Sequence, residues 1–205
     1  MVDLAVATGL KQSLANPGYV AGRVADDGSF LAHPRYAELC ARGRVFHFSV
    51  AAVTLPVNAN NLVSLFGVYN PPGSGVMMEM IEAEAHYVVA TTVVNALGLY
   101  ALGNQTGATF TTLGTIQSSR LTEGVASACR AYTSVTYSGT PLLADIIGGW
   151  GAVTDGGATP IRKAWKGSVQ IPPGVLASLA MTTAAATASG ITALMRWAEV
   201  PYVAQ

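Results

Sequence analysis

The chain has 205 residues, with 11 basic and 11 acidic side chains and no block of like charge, which excludes a nucleic-acid surface working by counterion release. Only 11% of its residues are charged and 51% are apolar, against roughly 25% charge in ordinary soluble domains. Interface cores are depleted in charge, so this balance points to one β-rich body largely covered in an assembly and argues against a free-standing enzyme; a surface solvated by Thr, Ser, Asn and Gly is the plainer alternative.

Nine of the 22 charges fall in residues 1–44, which sets that segment apart from the rest. Its breaker clusters, Asn16-Pro17-Gly18, Asp26-Asp27-Gly28-Ser29 and His33-Pro34, leave no room for a long periodic element. A short helix is expected around Tyr36 to Ala41. The remainder reads as an extended N-terminal arm over 1–44, with apolar anchors at Leu10, Leu14, Tyr19, Phe30, Leu31, Tyr36 and Leu39 that need a partner surface. The start, MVDLAVATGLKQSLANPG, lacks a basic stretch ahead of an apolar run, so no signal peptide is expected.

From Val45 the pattern becomes one of strands, rich in Val, Thr, Tyr and Phe, and predicts a β-sandwich domain over 45–205. The expected strands are 45–54, 62–69, 76–84, 86–94, 97–102, 131–137, 161–171, 175–183 and 190–199. Asn70-Pro71-Pro72-Gly73-Ser74-Gly75 and Pro172-Pro173-Gly174 each end a ladder and permit a reversal. Segments 103–119 and 138–160 are rich in Gly, Thr and Ser and read as long loops, the second around Trp150.

Alternation in 161–171 sets Ile161, Trp165, Val169 and Ile171 on a core face and Arg162, Lys166, Ser168 and Gln170 on a wet one. Ile191, Ala193, Met195 and Trp197 align likewise in the last strand, with Arg196 opposite. A helix over 174–199 competes, because Ala, Leu and Met favour helices, but the Thr run and Gly190 favour a hairpin. Residues 167–195 carry no charge and are long enough to span a bilayer; Gln170, Pro172, Pro173 and the Thr and Ser residues argue against a membrane segment.

No catalytic pattern emerges from the sequence, so the reading is of no enzyme, no cofactor and no metal. There is no Gly-x-Ser-x-Gly elbow, and Gly148-Gly149-Trp150-Gly151 lacks both the GxGxxG spacing and a P-loop lysine. His33, His47 and His86 stand apart, and His47, between Phe46 and Phe48, reads as a strand histidine with a local hydrogen bond. Cys40 and Cys129 have no CxxC spacing and read as reduced, with Cys129 buried and inert despite Arg130 beside it. Glu79, Glu82 and Glu84 form one acidic cluster, in which Glu82 and Glu84 would share a strand face about 7 Å apart. A divalent-ion site at an oligomer axis or a hydrolase pair is set there against a solvated or interface strand face.

The run from Ala41-Arg42-Gly43-Arg44-Val45-Phe46, through Tyr69-Asn70-Pro71-Pro72-Gly73-Ser74-Gly75-Val76 and Ile171-Pro172-Pro173-Gly174, to Leu194-Met195-Arg196-Trp197-Ala198-Glu199-Val200-Pro201 resembles the small jelly-roll virion proteins of tailed bacteriophages, of the capsid cement or decoration type. The resemblance covers about residues 41–201 and rests on turn and strand signatures. It implies an all-β antiparallel two-sheet jelly roll that forms a homodimer or homotrimer and binds the major capsid protein. By the same resemblance it would sit on the capsid surface of the virion, and in the host cytoplasm during assembly, with no nucleic-acid or membrane partner. A head-fibre, tail or baseplate subunit would share these signatures. A carbohydrate-binding β-sandwich module would instead present Trp150, Tyr137 and Tyr132 from loops.

Overall fold

A computed structural model describes residues 23–24, 30–31, 35–54, 63–89, 95–103, 108–110, 113–120, 125–133, 135–137, 139–150, 160–182 and 190–202. The chain divides into two compact units, Met1–Glu38 and Leu39–Gln205. Within the first, β1 (Arg23–Val24) pairs antiparallel with β2 (Phe30–Leu31). The helix α1 (Arg35–Ala41) lies where the sequence predicts one. Gly43, at φ +68°, stops it: the Gly43 amide donates to the Cys40 carbonyl and the Arg44 amide to that of Leu39, at 2.9 and 2.8 Å. The rest of the expected arm lies outside the described residues.

The strands that follow are β3 (Val45–Thr54), β4 (Val63–Tyr69), β5 (Val76–Val89), β6 (Asn95–Gly103), β7 (Ala108–Phe110), β8 (Leu113–Gly114), β9 (Gln117–Ser118), β10 (Arg130–Tyr132), β11 (Val135–Tyr137), β12 (Leu142–Trp150), β13 (Ile161–Ile171), β14 (Val175–Met181) and β15 (Gly190–Pro201). They form two packed antiparallel sheets. The first runs β12-β6-β14-β4, with β10 and β11 against β4, β8 beside β10 and β7 beside β11; the second runs β13-β5-β15-β3-β9. Between them lies one core in which Phe46, Phe66, Met78, Met80, Leu97, Leu99, Leu179, Met195 and Trp197 are closed to solvent. Phe48 meets Phe66 edge-on across it, with ring centroids 5.2 Å apart.

Both prolyl corners carry the chain from one sheet to the other. Asn70 is fully buried between them. Its side-chain amide donates to the carbonyls of Val76 and Ile171 at 2.9 and 3.1 Å. Its own carbonyl accepts from Gly174 at 2.7 Å, and its amide donates to Val175 at 3.0 Å. Gly73, Gly75 and Gly174 make these reversals at positive φ.

Several sequence expectations change. The segments read as 76–84 and 86–94 form one 14-residue strand as far as Val89, because Ala85-His86 offers no turn chemistry. The loop expected over 138–160 contains β12, and Trp150 at its end is buried. The loop expected over 103–119 holds β7, β8 and β9. The last two strands do not form a hairpin, since β14 joins the first sheet and β15 the second. As strands, they set aside the competing helix.

Strand β13 is less regular than its alternation implies. Trp165 and Ile171 are buried, while Ile161 and Val169 are only partly so. Opposite Ile81 the ladder slips, with β13 passing from Ala164 to Val169 and β15 from Arg196 to Trp197. In the β13 excursion Lys166 and Gly167 take successive left-handed conformations, at φ +51° and +85°. Two such residues in a row are the signature of a tight reversal, and Lys adopts the first only under constraint.

Replacing Asn70 by Ala strips donors from two buried carbonyls, so Asn70→Ala is expected to lower unfolding free energy by about 2–4 kcal/mol. Urea denaturation checks this: the midpoint should fall while the slope stays unchanged.

Candidate functional site

The acidic cluster is tied into the outer face of the second sheet. Glu82 has a side chain 8% exposed and is held by two arginines. Arg162 of β13 donates to Oε2, its Nε at 3.0 Å, while Arg196 of β15 donates to Oε1 at 2.5 Å. Two guanidinium groups complete the carboxylate's hydrogen bonding. Glu84 is exposed and Glu79 is buried. Among the described residues, no group of three or more His, Cys, Asp or Glu is placed to hold a metal ion.

His47 continues this polar row. It pairs in register with Arg196 on one side and Gln117 on the other. Nε2 donates to the Gln117 amide oxygen at 3.2 Å, and Nδ1 accepts from the Ser119 hydroxyl at 3.4 Å, which is the local bonding expected of a strand histidine. The row Gln117–His47–Arg196–Glu82–Arg162 thus crosses the sheet as a cross-strand ladder.

Inside the sandwich lies a polar knot that the sequence did not reveal. Glu199, 2% exposed, points inward from β15. It accepts from the Ser127 hydroxyl, from the Ala128 amide at 3.0 Å and from the Trp197 indole at 3.4 Å. Cys129 adjoins it, its amide bonded to Ser127 Oγ at 3.1 Å and its thiol directed at Asn70 Oδ1 at 3.8 Å. Burial, and then the neighbouring Glu199, push the Cys129 thiol far above its usual range, so this cysteine is shut away as expected. The only advance signal was a carboxylate at the next position of a core-facing alternation, two residues past Trp197.

The aromatics that a carbohydrate module would display are largely covered. Trp150 and Tyr137 are 5% and 6% exposed, and Tyr132 is partly buried. Tyr137 packs with Tyr69, Leu102, Val135 and Leu176 in a second apolar cluster and hydrogen-bonds Ser178. Burial pushes its phenol up to about 12.

The open apolar surface lies elsewhere. Of the six large apolar side chains exposed among the described residues, Leu142, Leu143 and Ile146 stand on β12, at 70%, 41% and 51%. Ile146 pairs in register with Gly98, and Leu143 reaches over that glycine, where a Cβ would meet its Cδ1 at 2.6 Å. Asp145 between them is turned away to the Trp165 indole at 2.6 Å and Lys163 Nζ at 3.4 Å. The indole hydrogen bond holds its carboxyl below the usual aspartate value. No helix among the described residues is long and apolar enough to cross a membrane, and the uncharged stretch 167–195 contributes to β13, β14 and β15.

Comparison with protein-family models, with curated proteins and with solved structures returned no match.

Two measurements follow from the buried titratable groups. At pH 8 a thiol reagent should label Cys40, which is partly exposed, and reach Cys129 only after denaturation. Cys129 and Tyr137 are both raised in the fold, so their stabilising contribution is complete below their ordinary values of 9.0 and 10.0 and is lost as pH climbs toward the folded values. Melting temperature should therefore fall above about pH 9, and Tyr137→Phe should flatten the upper part of that decline.

Proposed function

We propose that this chain is a non-enzymatic structural subunit with a jelly-roll body, a capsid cement or decoration protein of a tailed bacteriophage that oligomerises and stabilises the lattice by binding major capsid proteins. One observation carries the reading. Taken in chain order, the eight long strands β3, β4, β5, β6, β12, β13, β14 and β15 pair first with eighth, second with seventh, third with sixth and fourth with fifth. That pairing supports the jelly-roll reading, in which one long antiparallel ribbon folds over on itself into two sheets. The strands β7 to β11 then form an insertion between the fourth and fifth strands. It lines β4 through β10 and β11, and β3 through β9.

Composition supports the same reading. A subunit repeated over a lattice needs only modest contacts per copy, and near-neutral faces let copies crowd without long-range repulsion. Residues 1–44 serve as the arm in this scheme, docked on a neighbouring subunit. A head-fibre, tail or baseplate subunit of the same build is the second reading; the burial of Trp150 and Tyr137 weighs against a carbohydrate-binding module.

Sedimentation at micromolar concentration, alone and with major capsid protein, tests the proposal. A dimer or trimer that co-sediments with the capsid protein is expected, whereas a monomer without affinity for it would overturn the reading. Deleting residues 1–40 should leave the melting of the sandwich nearly unchanged and weaken assembly or capsid attachment.

A further inference from the structure

The two sheets are joined differently at their two margins. At one, Thr115 and Ile116 carry the chain directly from β8 in the first sheet to β9 in the second, so covalent continuity holds those edges together. At the other, the edge strands β12 and β13 meet with no ladder between them among the described residues; β12 pairs with β6 and β13 with β5. Each of these edges turns one charge inward. Asp145 pairs in register with Leu99 and Lys163 with Ala83, and both partners are core positions closed to solvent. Inward-pointing charge keeps an edge strand from accepting a further strand, and here the two charges are of opposite sign and face each other. Asp145 Oδ2 accepts from the Trp165 indole at 2.6 Å and lies 3.4 Å from Lys163 Nζ, while Oδ1 accepts from the Ile146 amide at 2.8 Å. Beside this contact the strands come so close that a Cβ on Gly148 would meet Ile161 Cβ at 3.2 Å. The indole bond is the stronger tie, because Trp165 is buried and a hydrogen bond to an ionised group is about twice as strong as a neutral one, whereas the ammonium is exposed and screened.

From this arrangement we infer that the β12–β13 margin is an acid-released seam: the ionised Asp145 carboxylate holds the two sheet edges together through Trp165 and Lys163, and its protonation lets them part. The seam is independent of the assembly reading above. Protonation removes the charge on which both ties depend and leaves a hydroxyl that must find an acceptor of its own. Among the described residues, Lys163 is the charged group that faces Asp145. Arg162 lies with Glu82 on the outer face of the second sheet, Lys166 sits in the excursion of β13, and β6 brings Tyr100, which pairs with Leu143 on the outer face of the first sheet. The indole bond, ahead of the Ile146 amide and Lys163 and against the effect of burial, holds the carboxyl below its ordinary value of 3.8. A carboxyl held low contributes its stability in full above that value and loses it as pH falls through the folded one. The seam therefore stays closed at neutral pH and opens below 3.8. The Asn70 corner keeps its register through that step, since its side-chain amide and the two carbonyls it binds do not titrate.

The test follows hydrogen exchange in the full chain by NMR from about pH 6 to about pH 2.5, with each rate taken relative to that of an unfolded chain at the same pH. Below 3.8 the Trp165 indole proton should lose about ten- to a hundredfold of its protection, the equivalent of one hydrogen bond to a charged group, while amides of the β4–β14 ladder keep theirs. Asp145→Asn has no charge to lose. Its indole proton should already be about tenfold less protected at neutral pH and should show no acid step. Trp165→Phe serves should that variant fold poorly: it keeps a ring in the core, and the step, now read on the β12 amides, should move upward by about one pH unit. Loss of protection at the margin and in the β4–β14 ladder at the same pH would mean that the sandwich melts as one unit, and overturns the seam. So does an acid step that survives Asp145→Asn at an unchanged pH, or one that fails to move in Trp165→Phe.

Discussion

The buried amide of Asn70 is the constraint on which the register of the two sheets depends. It sits where two crossovers between the sheets run side by side, and its side chain donates to the carbonyls of Val76 and Ile171, the start of one strand and the end of another. Its main chain continues the pairing of β4 with β14 through Gly174 and Val175. One residue thus registers β4 against β14 and β5 against β13, one pair in each sheet. Slippage in either sheet would leave buried polar groups without partners, a heavier penalty than loss of apolar contact alone.

From that corner outward the core could be read in the sequence, because its pattern is local. Phe46, Phe48 and Val50 alternate with His47, Ser49 and Ala51, as do Ile191, Ala193, Met195 and Trp197 with their neighbours, and all the named core members are buried. Both prolyl corners carry their own chemistry and fall where expected. What escaped was of two kinds. Strand β12 was hidden by Gly148 and Gly149 and by its glycine- and threonine-rich flanks, although the Leu142-Leu143 and Ile146-Ile147 doublets were a usable signal. The partition of strands between sheets was hidden because pairing of β14 with β4 and of β15 with β3 joins residues more than 100 positions apart. Alternation says which face is buried and says nothing about which sheet a strand enters.

The acidic cluster shows the same limit at the level of a site. Spacing correctly placed Glu82 and Glu84 on one strand, but the groups deciding their role came from elsewhere. Arg162 and Arg196 lie 80 and 114 residues away in sequence and convert a candidate acid pair into part of a ladder. Glu199, which the sequence did not single out as a site residue, proves to be the carboxylate around which the insertion closes onto the last strand. Two of the buried carboxylates are each tied to groups on other elements, Glu82 to Arg162 and Arg196 and Glu199 to Ser127 and Ala128, so removing a partner would leave a charge buried without its hydrogen bonds.

The Lys166-Gly167 excursion has a further use. It projects from an otherwise continuous strand, with Lys166 exposed at a backbone conformation already reversed, while Trp165 and Ile171 on either side stay anchored in the core. A tip of this kind accepts added residues with little disturbance to the elements that bear it, since loop closure grows only slowly in cost with length. Position 166–167 is thus a natural point for grafting a foreign peptide, and a subunit that decorates a lattice would present such a peptide in as many copies as the lattice holds.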